Sequence, residues 1–246
     1  MKAIVPKNRI DSASEKKTGL SISGSGKLPG NFRTREAFRT LRSNIQFCGS
    51  EFRTLMFTSS MPDEGKSHVS YMTAAAFAEL GKQVLFIDAD LRKSVLKKRI
   101  RQANRKSKGL SHFLSGQASL SEIICPSEDM ENLSLIFTGP FPPNPAELLA
   151  GEMFRLGIRK LKEDFDYIII DVPPVGSVID AAIVAKECDG VILVIASNMV
   201  SYRVAQGVKK QLEKADCKIL GTVLNKVNAK EQGYYGKYYG DYYGDY

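Results

Sequence analysis

Short apolar runs alternate along the chain with longer segments in which apolar residues recur every three to four positions. The short runs have the length of strands that are buried on both faces of a sheet. They predict strands at residues 55–58, 84–87, 133–137, 167–171, 190–196 and 219–224. The periodic segments predict helices at residues 34–47, 67–80, 144–164, 177–187 and 201–215, and a shorter helix at residues 110–114. This alternation indicates an α/β fold, in which helices cover both faces of a mostly parallel sheet.

Particular residues mark the predicted starts of two helices. Thr34 is a candidate N-cap for the first helix. Asn144, Pro145 and Glu147 predict a further helix start, because Asn144 can cap, proline suits the first turn and Glu147 can reach back to the cap. This helix is predicted to continue without a break to about Asp164.

A phosphate-binding loop joins the first predicted strand to the helix that follows it. The loop has the pattern GxxxxGK[ST], except that serine replaces the first glycine. In such a loop, backbone N–H groups bind phosphate oxygens at a helix N-terminus, the lysine neutralises the β- and γ-phosphates, and the hydroxyl binds Mg²⁺. The residues predicted to bind ATP here are Ser60, Met61, Pro62, Asp63, Glu64, Gly65, Lys66, Ser67 and His68.

Acidic residues follow two other predicted strands. Asp171 ends an apolar strand, as expected for an acid that binds Mg²⁺ beside a phosphate loop. Asp88 and Asp90 share one side of their strand if that strand continues to residue 90. One of them would then help Ser67 and Asp171 to hold the metal, with Asp88 as our candidate. The other would take the proton of a tyrosine hydroxyl, whose ordinary pKa is near 10. Alternatively, Asp90 caps the next helix.

The last predicted strand leads into the segment Asn225-Lys226-Val227-Asn228. GTPases carry an aspartate at the place of Asn228 to read guanine, so the asparagine here favours ATP. Asn225 is the candidate for a contact with the edge of adenine.

The end of the chain is rich in glycine and tyrosine. Its seven tyrosines are Tyr234, Tyr235, Tyr238, Tyr239, Tyr242, Tyr243 and Tyr246. Composition of this kind predicts disorder. One chain thus holds a predicted site for ATP, the phosphoryl donor, and a group of hydroxyls that could accept the phosphoryl group. This combination predicts a kinase that phosphorylates its own tail. The alternative is a low-complexity tail that promotes association.

The charge of the chain, +8 in total, is concentrated in two segments. Residues 1–53 hold eleven basic and four acidic residues, and residues 92–108 hold nine basic residues and no acidic one. These segments are either solvated surface or contacts with anionic lipid, an acidic partner or nucleic acid. Widely spaced cysteines and the lack of a long apolar run favour a cytosolic protein with reduced thiols.

Taken in order, these motifs resemble those of bacterial tyrosine kinases of the CpsD/CapB type, which act in capsule and exopolysaccharide synthesis. Residues 60–67 correspond to Walker A, residues 84–90 to the family's additional Walker A′ motif and residues 167–171 to Walker B. Residues 139–149 are close to a further family segment, and the tyrosine cluster ends the chain. The family's ExxRxxR motif is matched by Glu36, Arg39 and Arg42.

The resemblance implies a MinD/ParA-related P-loop fold and a non-specific protein-tyrosine kinase that uses ATP and Mg²⁺ to phosphorylate itself. It implies essential roles for Lys66, Asp88, Asp90 and Asp171, and assembly into a ring through the ExxRxxR motif. The implied partners are a separate transmembrane activator, which recruits the cytoplasmic kinase to the inner face of the membrane, and a cognate tyrosine phosphatase. Nucleic acid is not an expected partner.

The predicted organisation has three parts. Residues 1–30 form a flexible arm, residues 31–228 the kinase domain and residues 229–246 the tail that is phosphorylated.

Two other functions are compatible with parts of the sequence. A ParA/MinD-type ATPase would use the loop as a nucleotide-gated switch, but such proteins usually carry a signature lysine where this chain has Met61. A binding module for nucleic acid or membrane would use the basic segments, and its binding would depend strongly on salt.

Overall fold

A seven-stranded sheet forms the centre of the computed structural model, which describes residues 28–94, 108–176 and 179–227. The strands are β1 (Thr54–Ser59), β2 (Val84–Asp88), β3 (Ile124–Pro126), β4 (Leu133–Ile136), β5 (Tyr167–Asp171), β6 (Gly190–Ala196) and β7 (Ile219–Asn225). Their order across the sheet is β3-β4-β2-β5-β1-β6-β7. All neighbours are parallel except β3 and β4. The predicted α/β class is therefore confirmed.

Helices cover both faces of the sheet. They are α1 (Phe32–Gln46), α2 (Lys66–Glu79), α3 (Leu110–Leu114), α4 (Leu120–Ile123), α5 (Pro145–Ala150), α6 (Glu152–Asp164), α7 (Asp180–Ala185) and α8 (Tyr202–Lys214). The apolar residues of α1 and α2 belong to one buried cluster, and those of α3, α6, α7 and α8 to another. Alternate residues of a strand point to opposite faces, so Leu55 and Phe57 of β1 join the first cluster and Met56 joins the second.

The start of α1 differs from the prediction. The helix begins at Phe32, and Asn31 caps it by accepting a hydrogen bond from the Thr34 backbone N–H at 2.8 Å. The prediction that Thr34 is the cap was wrong, because Thr34 already lies in the first turn. Asparagine is among the best capping residues, and its position three residues earlier was the available signal.

The single helix predicted from Asn144 to Asp164 is two helices in the structure. Gly151 has an extended backbone (φ −70°, ψ 158°), which ends α5 and precedes α6. Glycine weakens a helix because it has the most backbone freedom to lose, and the break lets α5 pack separately against α7. Asn144 does occupy the N-cap position, with Pro145 in the first turn, as predicted. Its side chain makes no cap bond, however, and donates instead to the Glu147 carboxylate at 2.8 Å.

Two short elements were not predicted. The four-residue α4 leads directly into β3, which extends the sheet at one edge and runs antiparallel to β4. Neither element is long enough to show a period in its apolar residues. The predicted helix at residues 177–187 is represented by α7, and residues 177–178 lie outside the described part of the chain.

Candidate active site

The phosphate loop lies between β1 and α2, at the carboxyl end of the sheet. Gly65 precedes α2 with a left-handed backbone (φ 82°). A Cβ at this position would stand 2.2 Å from Asn225 Nδ2, closer than any side chain tolerates. Glycine is therefore required both by the conformation and by the close approach of Asn225. Asp63 also has a positive φ, of 63°, so the loop turns sharply before the helix begins.

A buried carboxylate holds the phosphate loop from within. Glu64 Oε2 accepts the Met61 backbone N–H at 2.7 Å, and Oε1 accepts the Ala196 backbone N–H at 3.0 Å. The side chain thus joins the loop to the end of β6. Glu64 is 1% exposed, so it faces the protein and not solvent. The sequence identified Glu64 only as a member of the loop, since the contact spans 132 positions of the chain.

The end of β7 supports the same loop. Asn225 Nδ2 donates to the Glu64 carbonyl oxygen at 2.9 Å, and Lys226 Nζ donates to the Asp63 carbonyl oxygen at 2.7 Å. Asn225 is buried. In this structure its amide nitrogen therefore serves the loop backbone, while its predicted contact with adenine stays a prediction.

Lys66 and Asp171 form a buried ion pair beside the loop. Lys66 Nζ lies 2.8 Å from Asp171 Oδ1, and the two side chains are 8% and 0% exposed. Ser70, one turn into α2, donates its hydroxyl to the same carboxylate oxygen at 3.1 Å. Lys66 Nζ is also 3.3 Å from Ser67 Oγ. The structure thus brings together three residues predicted from the sequence, and adds Ser70, whose type and place carried no distinct signal.

Asp88 lies directly across from Asp171, because β2 and β5 are neighbours and these residues are partners in the register. Asp88 is 1% exposed. Burial, and then the nearby Asp171 carboxylate, raise the pKa of Asp88 to about 7. The Ser94 hydroxyl donates to Asp88 Oδ2, which opposes the rise, and the Asp90 N–H donates to Oδ1. An ionised Asp88 is therefore unfavourable beside Asp171, and a bound cation would compensate for its charge.

Asp90 does not continue the strand. Since β2 ends at Asp88, the condition under which both carboxylates would share one side of a strand is not met. Asp90 Oδ1 instead accepts the backbone N–H groups of Arg92 at 3.3 Å and Lys93 at 2.9 Å. Its side chain closes the turn after β2. Residues 95–107, where a helix capped by Asp90 would continue, lie outside the described part of the chain, so the capping alternative stays a prediction.

The residues at this point suit Mg²⁺ bound together with a nucleotide. Asp171 Oδ2 and Ser60 Oγ are buried and have no hydrogen-bond partner within the described residues. Unpartnered buried oxygens are uncommon, and a bound ion or substrate oxygen is one explanation for them at a catalytic site. No group of three or more His, Cys, Asp or Glu suited to a metal occurs in residues 28–94, 108–176 and 179–227. Mg²⁺ needs none, because it is usually held by one or two carboxylates and the substrate's phosphates.

The ExxRxxR residues contact their own subunit. Arg39 binds Glu79 of α2 through Nε and Nη2, both at 2.9 Å, and Glu36 through Nη1 at 2.6 Å. Arg42 donates to the Ala76 carbonyl oxygen at 2.8 Å. These bonds join α1 to α2. The predicted contact with a neighbouring subunit stays a prediction.

Several predicted features lie outside the described residues. They are the arm up to residue 27, most of the basic segment at residues 92–108, and the tail with its seven tyrosines. Where the chain is described, no helix has both the length and the apolar character needed to cross a bilayer.

The order of strand, phosphate loop and helix, with an acid at the end of a neighbouring strand, defines a nucleotide-binding P-loop protein. The sequence profile of the AAA domain family matches residues 63–226. Tyrosine-protein kinase CpsD of Streptococcus agalactiae is 42% identical over 210 residues, which cover 83% of this chain and 91% of that protein.

Solved structures show the same relationship. The kinase domain of Escherichia coli tyrosine kinase ETK has a TM-score of 0.81 and 29% identity, over 92% of this chain and 91% of that one. The chimerical protein CapA2B2 has a TM-score of 0.78 and 31% identity, over 89% and 93%. The chain belongs to the bacterial tyrosine-protein kinases and is a protein-tyrosine kinase. The predicted family and enzyme class are confirmed, in preference to the ATPase switch and the binding module.

Proposed function

We propose that this kinase transfers the γ-phosphoryl group of ATP to tyrosines of its own tail, in trans within an oligomer, and so regulates capsule or exopolysaccharide synthesis. The observation that carries the proposal is the convergence of Lys66, at the start of α2, with Asp88 and Asp171, at the ends of neighbouring strands. Phosphoryl transfer depends mainly on positioning and on neutralising charge, and this group of residues supplies both.

The loop and Lys66 would bind the triphosphate. Backbone N–H groups at the start of α2 favour anions, and the Lys66 ammonium would contact the β- and γ-phosphate oxygens. Ser67, Asp171 and Asp88 would hold Mg²⁺, which neutralises phosphate charge when bound. The remaining predicted loop residues and Asn225 would surround the nucleotide or support the loop.

A second carboxylate beside the metal would accept the tyrosine proton. A tyrosine hydroxyl with its ordinary pKa near 10 is a poor nucleophile at neutral pH, so a nearby base assists its attack. Because Asp88 would hold Mg²⁺, this role falls to Asp90, whose carboxylate is oriented by two backbone N–H groups that bind its Oδ1.

The length of the tail supports phosphoryl transfer to the tail of a neighbouring subunit. From Val227 to Tyr246 an extended chain spans up to about 60 Å, at about 3.3 Å per residue. Contacts through Glu36, Arg39 and Arg42 would assemble the ring. Each phosphate adds about −1.5 to −2 charge, so multiple phosphorylation would oppose re-entry of the tail and favour dissociation.

The comparison with CapA2B2 supports a proposal about partners. That similar structure is of a chimerical protein, which supports cooperation of the kinase with a second protein. We propose that this second protein is a membrane activator, which recruits the cytoplasmic kinase to the inner face of the membrane. A tyrosine phosphatase would reverse the modification.

Mass spectrometry of the C-terminal peptide after incubation with ATP and Mg²⁺ tests the proposal. Purified wild type should carry phosphotyrosine within residues 234–246, and Lys66→Met should carry none, because its phosphate-binding ammonium is lost. Lys160→Met removes an exposed lysine from α6 and should behave as wild type. Tail phosphorylation that persists in Lys66→Met would refute self-modification. ADP production without phosphotyrosine would favour a nucleotide switch.

A further inference from the structure

A buried carboxylate at the start of α7 is bound by an arginine from the other side of the site. Asp180 is fully buried, and both of its oxygens accept hydrogen bonds from Arg92: Nε to Oδ2 at 2.7 Å and Nη2 to Oδ1 at 2.9 Å. A buried carboxylate is costly unless it is compensated, and two parallel bonds from one guanidinium are among the strongest compensations in proteins. The pair joins two segments that are 88 positions apart in the chain.

At one end of the pair, Arg92 belongs to the turn that surrounds Asp88. The Asp90 N–H binds Asp88 Oδ1 at 3.3 Å, and the Arg92 N–H binds Asp90 Oδ1 at 3.3 Å. Ser94, two residues further on, donates its hydroxyl to Asp88 Oδ2. A displacement of Arg92 would therefore move the groups that orient the Asp88 carboxylate.

At the other end, Asp180 closes the segment that follows Asp171. The Val175 N–H donates to the Ser59 carbonyl oxygen at 2.9 Å. A Cβ on Gly176 would lie 2.4 Å from the Ser60 carbonyl oxygen. Residues 172–176 thus lie against the start of the phosphate loop. Because Asp180 follows them closely in the chain, we expect a displacement of Asp180 to change how they are held.

We propose that Arg92 and Asp180 are positioning residues, whose ion pair sets the separation between the Asp88 turn and the segment after Asp171 for phosphoryl transfer. This inference rests on the proposed function. Pairing of β2 with β5 already fixes the backbones of Asp88 and Asp171, so the ion pair acts on the turns beyond the strand ends.

The pair should affect the rate of transfer and leave nucleotide binding nearly unchanged. The phosphate loop is held from the opposite side, by Glu64, Ala196 and Asn225. These contacts of Glu64 do not pass through Arg92 or Asp180. A misplaced catalytic group slows a reaction by as much as about 100-fold for a shift near 1 Å, and we expect effects of this size or smaller.

The test uses Arg92→Lys and Asp180→Asn in the full chain. Lysine keeps the charge but cannot form two parallel bonds, and asparagine keeps the shape without the charge. At saturating ATP and Mg²⁺, each variant should form tail phosphotyrosine about 10- to 100-fold more slowly than wild type. The dissociation constant for ADP should stay within about twofold, because the loop contacts are intact.

A matched control is provided by an exposed pair of the same kind. Arg155 and Glu152 lie 3.0 Å apart on α6, with side chains 50% and 70% exposed. Arg155→Lys and Glu152→Gln should phosphorylate the tail at the wild-type rate. Thermal unfolding of all four variants reports whether the folds are equally stable.

The outcomes separate the possibilities. A folded Arg92→Lys or Asp180→Asn protein with the wild-type rate would overturn the proposal. So would an equal loss of rate, ADP affinity and thermal stability, since the pair would then only hold the fold. If Asp180→Asn does not fold, the phosphorylation rate and ADP affinity of Arg92→Lys alone test the proposal.

The same reactions also distinguish failure of the proposed function. ADP is measured with phosphotyrosine in every tube. If wild type makes ADP but no phosphotyrosine, self-phosphorylation is refuted. The rate of ADP production by each variant, relative to wild type, then still tests the role of the Arg92–Asp180 pair. If wild type makes neither, both proposals fail.

Discussion

Two buried carboxylates near the candidate site have contrasting surroundings. Glu64 accepts a backbone N–H at each oxygen, one from its own loop and one from β6. Asp88 is equally buried but lies across from a second carboxylate, Asp171. The first arrangement satisfies the charge and fixes a loop. The second leaves a charge that is costly to maintain, which is the usual condition of a group that exchanges protons or binds a cation.

The largest expected effect tests the unfavourable charge of Asp88. Because its folded pKa, about 7, lies above the ordinary value of 3.8, the folded state binds its proton more tightly than the unfolded state. Below pH 4 Asp88 is protonated in both states and does not lower the free energy of unfolding. Its destabilising effect grows between pH 4 and pH 7 and is complete above pH 7. Without nucleotide or Mg²⁺, Asp88→Asn should therefore be more stable than wild type at pH 8, by up to about 4 kcal/mol.

Urea unfolding at pH 5 and pH 8 measures this difference. The stabilisation by Asp88→Asn should be clearly smaller at pH 5 than at pH 8. Glu131→Gln makes the same chemical change at an exposed position and should have little effect at either pH. A stabilisation that does not grow with pH would show that the ionised Asp88 carboxylate does not destabilise the folded protein.

The next effect tests how closely the loop fits the end of β7. Gly65→Ala would place a methyl group 2.2 Å from Asn225 Nδ2 on a backbone with φ 82°. We expect about 100-fold weaker ADP binding, since the loop must move and a strained backbone costs about 1–3 kcal/mol. Isothermal titration with ADP and Mg²⁺ measures the change.

Gly207→Ala is the matched control, because a Cβ there meets nothing within 4 Å. In the middle of α8 alanine should stabilise the protein by about 0.5–1 kcal/mol without changing ADP affinity. Full ADP affinity in Gly65→Ala would contradict the close packing of the loop.

The smallest effect tests the two bonds of Glu64. Glutamine has one acceptor oxygen where the carboxylate has two, so Glu64→Gln must point an NH₂ group at either Met61 N–H or Ala196 N–H. Loss of one buried bond costs about 1–3 kcal/mol, and we expect roughly tenfold weaker ADP binding. In the same titration, an unchanged affinity would mean that β6 is not needed to support the loop.

Local signals in the sequence predicted most of the strands and the central residues of the site. The apolar run at residues 190–196 is β6 to the residue, and Asp171 ends its strand as predicted. Both features can be read from residues that are adjacent in the sequence. Contacts such as Glu64 with Ala196 and Arg92 with Asp180 could not be predicted, because each joins segments that only the folded sheet brings together.

Errors arose where one residue decides between two local structures. Gly151 interrupts a segment whose apolar period continues on both sides. Asp90 follows a strand by two residues, a spacing that permits either a longer strand or a turn, and backbone N–H groups within the next three residues selected the turn.

The position of Lys226 has a practical consequence. Lys226 holds the phosphate loop and is separated from the first tail tyrosine, Tyr234, by only seven residues. A force applied to the tail would therefore act close to the loop. An affinity tag or fluorophore for enzymology belongs at the other end of the polypeptide, whereas a label attached beyond Tyr246 would serve as a mechanical probe of nucleotide release.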